Sequence, residues 1–333
     1  MRTPTIKDIA RELQISVSTV SRALQNHPDI STKTKSIVRE CARRVNYKPN
    51  LMASNLRTNK NNIIGVVIPE LNHHFFSSVL DGIEQAANEA GYNILIFQTR
   101  EDAQKEIQGI CTLISSRVAG ILMGVSKQTI NLDHIQEVID NDIPLVLYDR
   151  PCPSIKCDQV VSDDYMGAYS AVEHMIRTGK KKIMYLSSSM QLEVSRRRYQ
   201  GWRDALLHYN VPFSEDMVLE CDTRAQAIME MPKIFHMDNR PDAVFCVNDD
   251  CAVGVLHVAQ TMGLDVPTDV SICGFSDAPI GRSLSPMLTT VQQRGATIGK
   301  HAVLRLLKRL NGDELIPQTE MIATNLIVRE TTI

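Results

Sequence analysis

The stretch Ile63-Ile-Gly-Val-Val-Ile68 decides the fold class of this 333-residue chain. A continuous apolar run of this kind is typical of a strand that is buried on both faces of a parallel sheet. A helical pattern with Val79, Leu80 and Ile83 on one face follows it. The same alternation repeats and predicts further strands at Asn93–Phe97, Gly120–Met123, Leu145–Tyr148, Ile183–Leu186, Ala243–Val247 and Ser271–Phe275. We therefore predict an α/β protein with two doubly wound lobes.

The residues that precede this alternation have a different period. Three short helical patterns follow the potential N-caps Thr5, Ser16 and Ser31. Only Leu13 to Ser16 separate the first two patterns, which is the tight joint of a helix-turn-helix. We predict a head at residues 1–48, a hinge or linker at 49–61 and a bilobed body at 62–333. Within the body we expect an N-terminal lobe at about 62–162 and 292–322 and a C-terminal lobe at about 163–291 and 323–333.

Charge is divided unevenly along the chain. Residues 1–60 contain 12 Lys or Arg and four acidic residues, a balance of +8, whereas the whole chain carries −2. The remainder therefore carries −10. A basic head on an acidic body is typical of a DNA-binding module joined to a domain with another task. The alternative is a small helical bundle with solvated charges.

In a helix-turn-helix, the exposed first positions of the second helix meet base edges in the major groove. Here those positions are Val17, Ser18 and Arg22, and we expect Thr19 and Ser21 near phosphates. Arg22 can bond two acceptors on guanine, while hydroxyls bond several base edges or phosphate. The predicted DNA contacts of the head are Thr5, Ser16, Val17, Ser18, Thr19, Ser21 and Arg22.

The sequence also carries information about the cellular compartment. Its N-terminal residues lack the apolar core of a signal peptide, and no apolar run is long enough to cross a bilayer. Its eight cysteines form no Cys-x-x-Cys pair. We expect a cytoplasmic protein with free thiols and no metal site.

Polar and aromatic side chains follow several predicted strands. Open α/β sheets bind ligands at the carboxyl ends of their strands, so we expect a common pocket there. Carboxylate, amide and guanidinium groups bind vicinal hydroxyls, and aromatic rings pack on the apolar side of a sugar. The predicted pocket residues are His73, Phe75, Phe76, Asp149, Arg150, Arg198, Asn248, Ser276, Asp277 and Gln293.

Each of these residues has a structural alternative when it is taken alone. Asp149 and Asn248 could be helix caps or turn residues. Phe75 and Phe76 could belong to the core, and Arg198 could form a surface ion pair. Their repeated placement at strand ends favours the pocket and, with it, a polyhydroxylated ligand.

Motifs of common enzyme classes are absent from the sequence. There is no Gly-x-Gly-x-x-Gly after the first strand, no P-loop, no His-Glu-x-x-His and no Gly-x-Ser-x-Gly. The segment Gly274–Ala278 comes nearest to a nucleophile elbow, but Pro279 disfavours the helix that would have to follow. We expect no catalytic residue and no cofactor.

Four separated motifs of the head occur in order: Thr5-Ile-Lys-Asp-Ile-Ala10, Val17-Ser-Thr-Val-Ser-Arg22, Ser31-x-x-Thr34 and Asn46-Tyr-Lys-Pro-Asn50. Together they resemble the lactose-repressor and galactose-repressor family of bacterial transcription regulators. The resemblance implies a hinge helix that folds on the operator, where a leucine of each subunit enters the minor groove. Leu56 stands at the matching place, and Asn50 and Ala53 are the other expected hinge contacts. An apolar wedge of this kind unstacks a base step and bends the duplex.

One residue departs from the head of that family. Gln14 stands where the family usually has a glycine between the two helices. Gln14 must adopt a left-handed turn at some energetic cost, or the turn is built differently.

The body resembles periplasmic sugar-binding proteins and the effector domains of the same family. The resemblance implies that the predicted pocket residues hold a sugar. His73 stands where Asn is common, and Ser276 replaces an Asp, with Asp277 one residue later. A strand-end carboxylate is therefore weakened or shifted. A purine effector is disfavoured, because Leu192 and Val194 carry no polar group where one branch of the family uses them.

These patterns predict a homodimeric transcription regulator that is a repressor more often than an activator in this family. We expect a sugar effector to close the two lobes and so to change how the paired heads and hinges fit a pseudo-palindromic operator. An activator of the same family and a cytosolic sugar-binding receptor with a basic head are the alternatives.

Overall fold

The computed structural model describes residues 4–47, 61–313 and 316–333. Contacts divide the chain into two units, residues 1–61 and 62–333, which we describe separately. Each unit has a hydrophobic core of its own.

The head is built from three helices, α1 (Ile6–Glu12), α2 (Val17–Leu24) and α3 (Thr32–Arg44). Their N-caps are the residues that the sequence predicts. The amide and hydroxyl of Thr5 both donate to the Asp8 carboxylate, at 2.8 and 2.7 Å. The hydroxyls of Ser16 and Ser31 each accept a hydrogen bond from the backbone amide three residues later. The predicted helix-turn-helix is therefore confirmed.

The turn between α1 and α2 uses a non-glycine residue in a left-handed conformation. Gln14 has φ of 52°, and the amide of Ile15 bonds the carbonyl of Ala10 at 3.1 Å. A side chain at this φ is disfavoured by its Cβ, so the turn stores a small strain. The core of the head holds the turn in place, through Ile9, Ala10, Val20, Ala23, Val38, Cys41 and Ala42.

The body contains twelve described strands in two sheets. In chain order they are β1 (Ile63–Ile68), β2 (Asn93–Gln98), β3 (Gly120–Met123), β4 (Leu145–Tyr148), β5 (Asp158–Ser162), β6 (Ile183–Ser187), β7 (Val218–Glu220), β8 (Ala243–Cys246), β9 (Ser271–Phe275), β10 (Thr289–Gln292), β11 (Thr319–Ile322) and β12 (Asn325–Ile327).

Each sheet has six strands and a strand order that reverses direction. The first sheet has the order β11-β5-β4-β3-β1-β2, and its strands are parallel. The second has the order β12-β10-β9-β8-β6-β7, and only β12 is antiparallel to its neighbour. The order reverses between β1 and β3 and again between β6 and β8. Such switch points open a crevice at the carboxyl ends of the strands, where α/β proteins bind ligands.

Helices cover both sheets of the body. They are α4 (His74–Glu89), α5 (Ala103–Ser115), α6 (Asp133–Asp140), α7 (Asp164–Arg177), α8 (Glu193–His208), α9 (Arg224–Phe235), α10 (Asp249–Thr261) and α11 (Gly295–Leu310). The chain passes to the second sheet after β5, returns with α11 to the first, and enters the second again at β12. The predicted pair of doubly wound lobes is thus confirmed.

Two glycines allow α4 and α11 to approach each other closely in the first lobe. A Cβ on Gly82 would lie 2.0 Å from the carbonyl oxygen of Ala296, and one on Gly299 would lie 2.1 Å from that of Val79. Real Cβ atoms do not come this close to backbone, so only glycine fits at either position. The two helices therefore pack backbone to backbone, which fixes α4 against α11.

The second lobe contains the single tryptophan of the chain. Trp202 lies on α8, fully buried, and its indole N–H donates to the carbonyl of Ile183 at 3.1 Å. Its ring stacks on Tyr185, with the ring centroids 6.2 Å apart. The indole thus anchors α8 to the second sheet.

One strand departs from the sequence prediction. Residues Asn93–Phe97 form a strand as expected, but β2 is the edge strand of its sheet and is not covered on both faces. Leu95 and Ile96 are each 40% exposed. An apolar run predicts a strand without showing whether a neighbour covers it.

Within the described residues, no helix combines the length and the apolar character that a membrane crossing requires.

Candidate functional site

A cavity of about 540 Å³ lies in the body and is called the cleft here. Its lining residues follow strands β1 to β4 of the first sheet and β6 to β10 of the second, so both sheets point their carboxyl ends at it. They are Glu70, Asn72, His73, His74, Phe75, Phe76, Glu101, Lys127, Asp149, Arg150, Ser188, Leu192, Val194, Ser195, Arg198, Asp222, Thr223, Arg224, Val247, Asn248, Asp249, Asp250, Ser276, Ala278, Pro279, Ile280 and Gln293.

Most of the pocket residues predicted from the sequence line the cleft. The structure brings together His73, Phe75, Phe76, Asp149, Arg150, Arg198, Asn248, Ser276 and Gln293. The exception is Asp277, which does not line the cleft. Its carboxylate accepts hydrogen bonds from Arg329 at 2.6 Å and from Arg282 at 2.7 Å. Although burial acts in the opposite direction, these two cations hold the pKa of Asp277 below its usual value.

Asp149 is a buried carboxylate of the cleft that is available to a ligand. It follows β4, is buried, and adopts a left-handed backbone with φ of 67°. No hydrogen bond joins its carboxylate to another described residue, and Arg150 Nε lies 3.7 Å away. Burial raises the pKa of Asp149 to about 7, although the Arg150 guanidinium opposes the shift. Its strained turn directs an unsatisfied acceptor toward the cleft.

Arg150 is already held by the protein. Its guanidinium makes two hydrogen bonds to Glu101, at 2.7 and 2.8 Å, and a third to the carbonyl of Val125 at 2.6 Å. It also lies over the ring of Phe76, 5.4 Å from the centroid. Although burial acts to raise it, Arg150 and the amide of Lys127 lower the pKa of Glu101 below its usual value. Arg150 is thus positioned by a bidentate ion pair.

Arg198 has a similar arrangement in the second lobe. Its Nε donates to Asp164 at 2.8 Å, and its Nη1 donates to the carbonyl of Val247 at 2.6 Å. The guanidinium stacks on Phe275, 3.8 Å from the ring centroid. The surface ion pair that was the alternative for Arg198 is excluded, because its side chain is only 8% exposed.

The amides of Asn248 and Gln293 are partly committed to the fold. Asn248 caps α10 by accepting from the amide of Cys251 at 2.8 Å, and it donates to the carbonyl of Asp222 at 2.7 Å. Gln293 donates to the hydroxyl of Ser162 at 3.3 Å. Asn248 therefore has the capping role that was its alternative, and it also faces the cleft.

Three buried polar atoms of residues that line the cleft have no hydrogen-bond partner among the described residues. They are Nδ1 of His73, Oγ of Ser195 and Nε of Arg224. Burial, together with nearby Arg150 and Arg198, lowers the pKa of His73 to about 4, so its ring is neutral near pH 7. Orphaned buried polar atoms cost free energy unless a ligand or water satisfies them. All three atoms are accordingly candidate contacts for a bound molecule.

A carboxylate from a neighbouring helix occupies the place expected at the end of β9. Asp249, on α10, accepts from the amide of Ala278 at 2.6 Å and from the hydroxyl of Thr290 at 2.5 Å. Ser276, with φ of 129°, donates to it at 3.4 Å. Burial raises the pKa of Asp249 to about 6. The strand-end carboxylate is thus shifted to another element, and Asp277 does not supply it.

An ion pair joins the two lobes across the cleft. Lys127, which follows β3, lies 2.9 Å from the carboxylate of Asp222, which follows β7. Ser188 donates to the same carboxylate at 2.6 Å, and the amide of Lys127 donates to Glu101 at 2.6 Å. Arg150, Glu101, Lys127 and Asp222 therefore form one continuous network from the first lobe to the second.

A buried cluster supports the loop that carries Lys127. Glu106 accepts from the amide of Ser126 at 2.6 Å and from the hydroxyl of Thr129 at 2.7 Å, and His134 contacts the same carboxylate at 2.8 Å. These residues fix the loop after β3, so Lys127 is presented from a rigid base.

Sequence reasoning missed several cleft residues. Glu101, Lys127 and Asp222 follow β2, β3 and β7, and Ser195 lies in the first turn of α8. The rule that selected Asp149 looks for polar residues that directly follow a strand. The same rule applies to Glu101, Lys127 and Asp222. Nothing in the local sequence distinguishes Ser195, because its significance comes from being buried without a partner.

In the head, a cluster of hydroxyls lies at the N-terminus of α2. Ser16 contacts Ser18 at 2.7 Å and Thr19 at 2.8 Å. Val17 is 40% exposed, and Arg22 is exposed with no ion pair to another described residue. An exposed helix N-terminus with hydroxyls and an unpaired guanidinium is well suited to bases and phosphates.

Not every predicted DNA contact has this exposure. Ser21 lies on the buried face of α2 between Val20 and Ala23, and its position near a phosphate stays a prediction. The period of the helix turns this residue inward. Thr5 donates its hydroxyl to the capping box. The hinge contacts Asn50, Ala53 and Leu56 lie outside the described residues.

Among the described residues, no group of His, Cys, Asp and Glu is arranged to hold a metal ion.

Two protein-family models match the chain. The model of bacterial regulatory proteins of the lacI family matches residues 5–50, and that of the periplasmic binding protein-like domain matches residues 172–332. The first covers the helix-turn-helix, and the second covers most of the second lobe together with α11 and β11.

Curated relatives match nearly the whole chain. The HTH-type transcriptional repressor PurR of Vibrio vulnificus (strain CMCP6) is 32% identical over 98% of both chains. The ribose operon repressor of Haemophilus influenzae is 30% identical, also over 98% of both. The crystal structure of the lac repressor dimer bound to operator and the anti-inducer ONPF superimposes with a TM-score of 0.89, at 23% identity and 100% coverage of both chains. The last likeness establishes the fold.

Proposed function

The chain belongs to the LacI family of bacterial regulatory proteins and is a DNA-binding transcriptional repressor with an effector domain, and we propose that its effector is a sugar held in the cleft. The observation that carries this proposal is that the same cleft holds the carboxylate of Asp149, which accepts no hydrogen bond from a described residue, and two orphaned buried atoms, His73 Nδ1 and Ser195 Oγ. Sugar hydroxyls both donate and accept, so one ligand satisfies all three groups.

The walls of the cleft support the same class of ligand. Phe75 and Phe76 belong to the core of the first lobe, at 3% and 4% exposed, and they also line the cleft, where we propose that a sugar's apolar face packs. Leu192 and Val194 line the other lobe with apolar side chains. These two residues offer no hydrogen bond to the edge of a purine ring, which disfavours that alternative effector.

The proposed DNA-reading surface is the exposed start of α2. Val17, Ser18 and Arg22 meet base edges in the major groove, and Ser16 and Thr19 bond the adjacent phosphates. Leu56 is proposed as the minor-groove wedge, with Asn50 and Ala53 beside it. One head reads one half-site, so the operator is a pseudo-palindrome.

We propose that two copies pair partly through the edge of the first sheet. Leu95 and Ile96 on β2 present apolar side chains on an edge strand, which is unfavourable in water. A second copy that covers this edge removes the exposure, and two heads are then available to one operator.

The Lys127–Asp222 pair suggests how effector and DNA communicate. It favours a closed arrangement of the lobes, and an effector that contacts both lobes favours the same arrangement. If the effector changes the affinity of the protein for the operator by some factor, the operator must change the affinity for the effector by the same factor. We propose no enzymatic activity and a cytoplasmic location, where the operator is.

The first experiment captures operator DNA directly. Sheared genomic DNA is incubated with the protein at moderate salt, bound fragments are sequenced, and the experiment is repeated with sugars present. We expect enrichment of a few pseudo-palindromic sites and a change in that enrichment with one sugar. Absence of enrichment under every condition would contradict the DNA-reading assignment.

A variant then tests the cleft. Asp149→Ala should abolish the response to the sugar and leave operator affinity unchanged, because it removes the available acceptor. Asp81→Ala, on the exposed face of α4, is the matched control. A normal sugar response in Asp149→Ala would move the effector site elsewhere.

A further inference from the structure

The cationic side chains that line the cleft are all engaged by carboxylates of the protein itself. In the first lobe, Arg150 forms its bidentate pair with Glu101. Lys127 pairs with Asp222 at 2.9 Å across the lobes. Neither cation is therefore free to receive a negatively charged ligand.

The second lobe repeats this pattern. Arg198 pairs with Asp164 at 2.7 Å, and both side chains are less than a tenth exposed. Arg224 pairs with Asp250 at 2.8 Å near the more exposed part of the cleft. Releasing the buried guanidinium of Arg198 would leave Asp164 without a counter-charge, which is strongly unfavourable.

Carboxylates without a cation of their own remain in the cleft. Asp249 is satisfied by neutral donors only, the Ala278 amide and two hydroxyls. Glu70 makes no ion pair with a described residue. Asp149 lies 3.7 Å from Arg150, a cation that it shares with Glu101, so the lining has an excess of negative charge. Burial is the main cause of the raised pKa of Asp149, about 7, and the nearby carboxylates Asp164 and Glu101 add to it.

From this charge balance we infer that the cleft selects a sugar that carries no phosphate or carboxylate group. The inference rests on the proposed sugar effector and specifies its chemical class. A phosphate would meet Asp149, Asp249 and Glu70 and would have to displace a carboxylate from an arginine. An uncharged sugar needs only the free hydrogen-bonding groups, and an amino sugar is also compatible with the field.

Matched ligand pairs test the inference with the intact protein. Isothermal titration in a phosphate-free buffer at fixed ionic strength compares D-ribose with D-ribose 5-phosphate, and D-glucose with D-glucosamine and D-glucose 6-phosphate. We expect at least one uncharged or amino sugar to bind, and about 10-fold or more tighter than its phosphate ester. Equal or tighter binding of an ester overturns the inference while leaving a sugar effector in place. Binding by no sugar of any charge counts against the proposed function itself.

A second arm needs no knowledge of the effector. Inorganic phosphate is titrated into the wild-type protein and into Glu101→Gln, which removes the bidentate partner of Arg150 and leaves only its longer contact with Asp149. We expect no measurable binding to the wild type and a gain of binding in the variant, because a guanidinium without its bidentate partner receives phosphate readily. Glu84→Gln, on the exposed face of α4, is the control.

Asp250→Asn provides an independent variant in case Glu101→Gln perturbs the loop after β3. It releases Arg224 near the more exposed part of the cleft and should also gain phosphate binding. Circular dichroism establishes that each variant is folded. Binding of phosphate by the wild type, or no gain in either folded variant, would show that the internal pairs do not control anion access.

Discussion

The head and the body use their arginines in opposite ways. In the head, Arg22 is exposed and has no ion pair with a described residue. In the body, Arg150 and Arg198 are 11% and 8% exposed, and each is bonded to a carboxylate and to a backbone carbonyl. The exposed guanidinium of Arg22 is available to DNA, a polyanion whose phosphates supply a counter-charge. The body neutralises its own charge, so it must recognise a ligand through hydrogen-bond geometry.

The largest expected effect concerns the buried arginine–carboxylate pairs of the body. Arg198→Ala leaves Asp164 buried without its guanidinium and should lower the free energy of unfolding by about 3–5 kcal/mol. Chemical denaturation measures this loss. Arg197→Ala, at a neighbouring position where the side chain is 55% exposed, is the control and should cost under about 1 kcal/mol. An equal loss of unfolding free energy in the two variants would mean that the buried Arg198–Asp164 pair contributes no more than an exposed one.

The next effect tests the head. Arg22→Ala should weaken specific operator binding by about 1–3 kcal/mol, roughly 10-fold to 100-fold, with little change in stability. Binding assays on operator and on unrelated DNA separate the two ways in which Arg22 could act. If it contacts a base, discrimination falls. A uniform loss on both DNAs would instead assign it to a phosphate.

A third prediction concerns pH and the available carboxylate of the cleft. The pKa of Asp149 is raised to about 7, so below that pH the group is mostly protonated and accepts hydroxyl donors poorly. Effector affinity should rise as pH increases from 6 to 8, by up to about tenfold per unit below the pKa. Titration calorimetry across this range measures the effect, and Asp149→Asn should remove it.

Asp249 is the other cleft carboxylate that titrates near this range, with a pKa raised to about 6. Asp249→Asn should shift the lower part of the profile only. A flat profile in the wild-type protein would indicate that the ligand does not use the ionised form of Asp149.

The smallest expected effect concerns the partly exposed ion pair that joins the two lobes of the body. Lys127 is 31% exposed, so its pair with Asp222 should contribute only up to about 1 kcal/mol. Lys127→Met should weaken effector binding a few-fold by favouring an open cleft. Without effector, it should change operator affinity in the direction opposite to the effector's own influence.

Fluorescence anisotropy on labelled operator measures that change. Lys127→Arg keeps the charge and is the control. A shift of operator affinity in the same direction as the effector would contradict the proposed role of the pair in closure.

Local signals explain why so much of the fold follows from the sequence. Each helix cap of the head, such as Ser16, depends on atoms within a few residues, so the local sequence is enough to predict it. The strands β1, β3 and β4 are buried apolar runs whose limits coincide with the prediction. By contrast, β5, β7, β11 and β12 are short or polar, and pairing with neighbours defines them more than composition does.

The cleft shows where sequence reasoning ends. The rule of strand ends places Asp149 and Arg150 correctly, since it follows from topology. It cannot tell whether Ser276 or Asp277 faces the ligand, because the backbone of Ser276 turns at φ of 129° and directs Asp277 toward Arg329. The pairing of Lys127 with Asp222 is equally hidden, because it joins residues 95 positions apart.

The lone indole of Trp202 gives this protein an intrinsic optical probe. It lies one helical turn beyond Arg198, on the helix that also carries Ser195 into the cleft. Because no other tryptophan contributes emission, its fluorescence can be followed without labelling the protein. We expect occupation of the cleft to change this emission through α8, so that binding can be followed in real time on the unmodified protein.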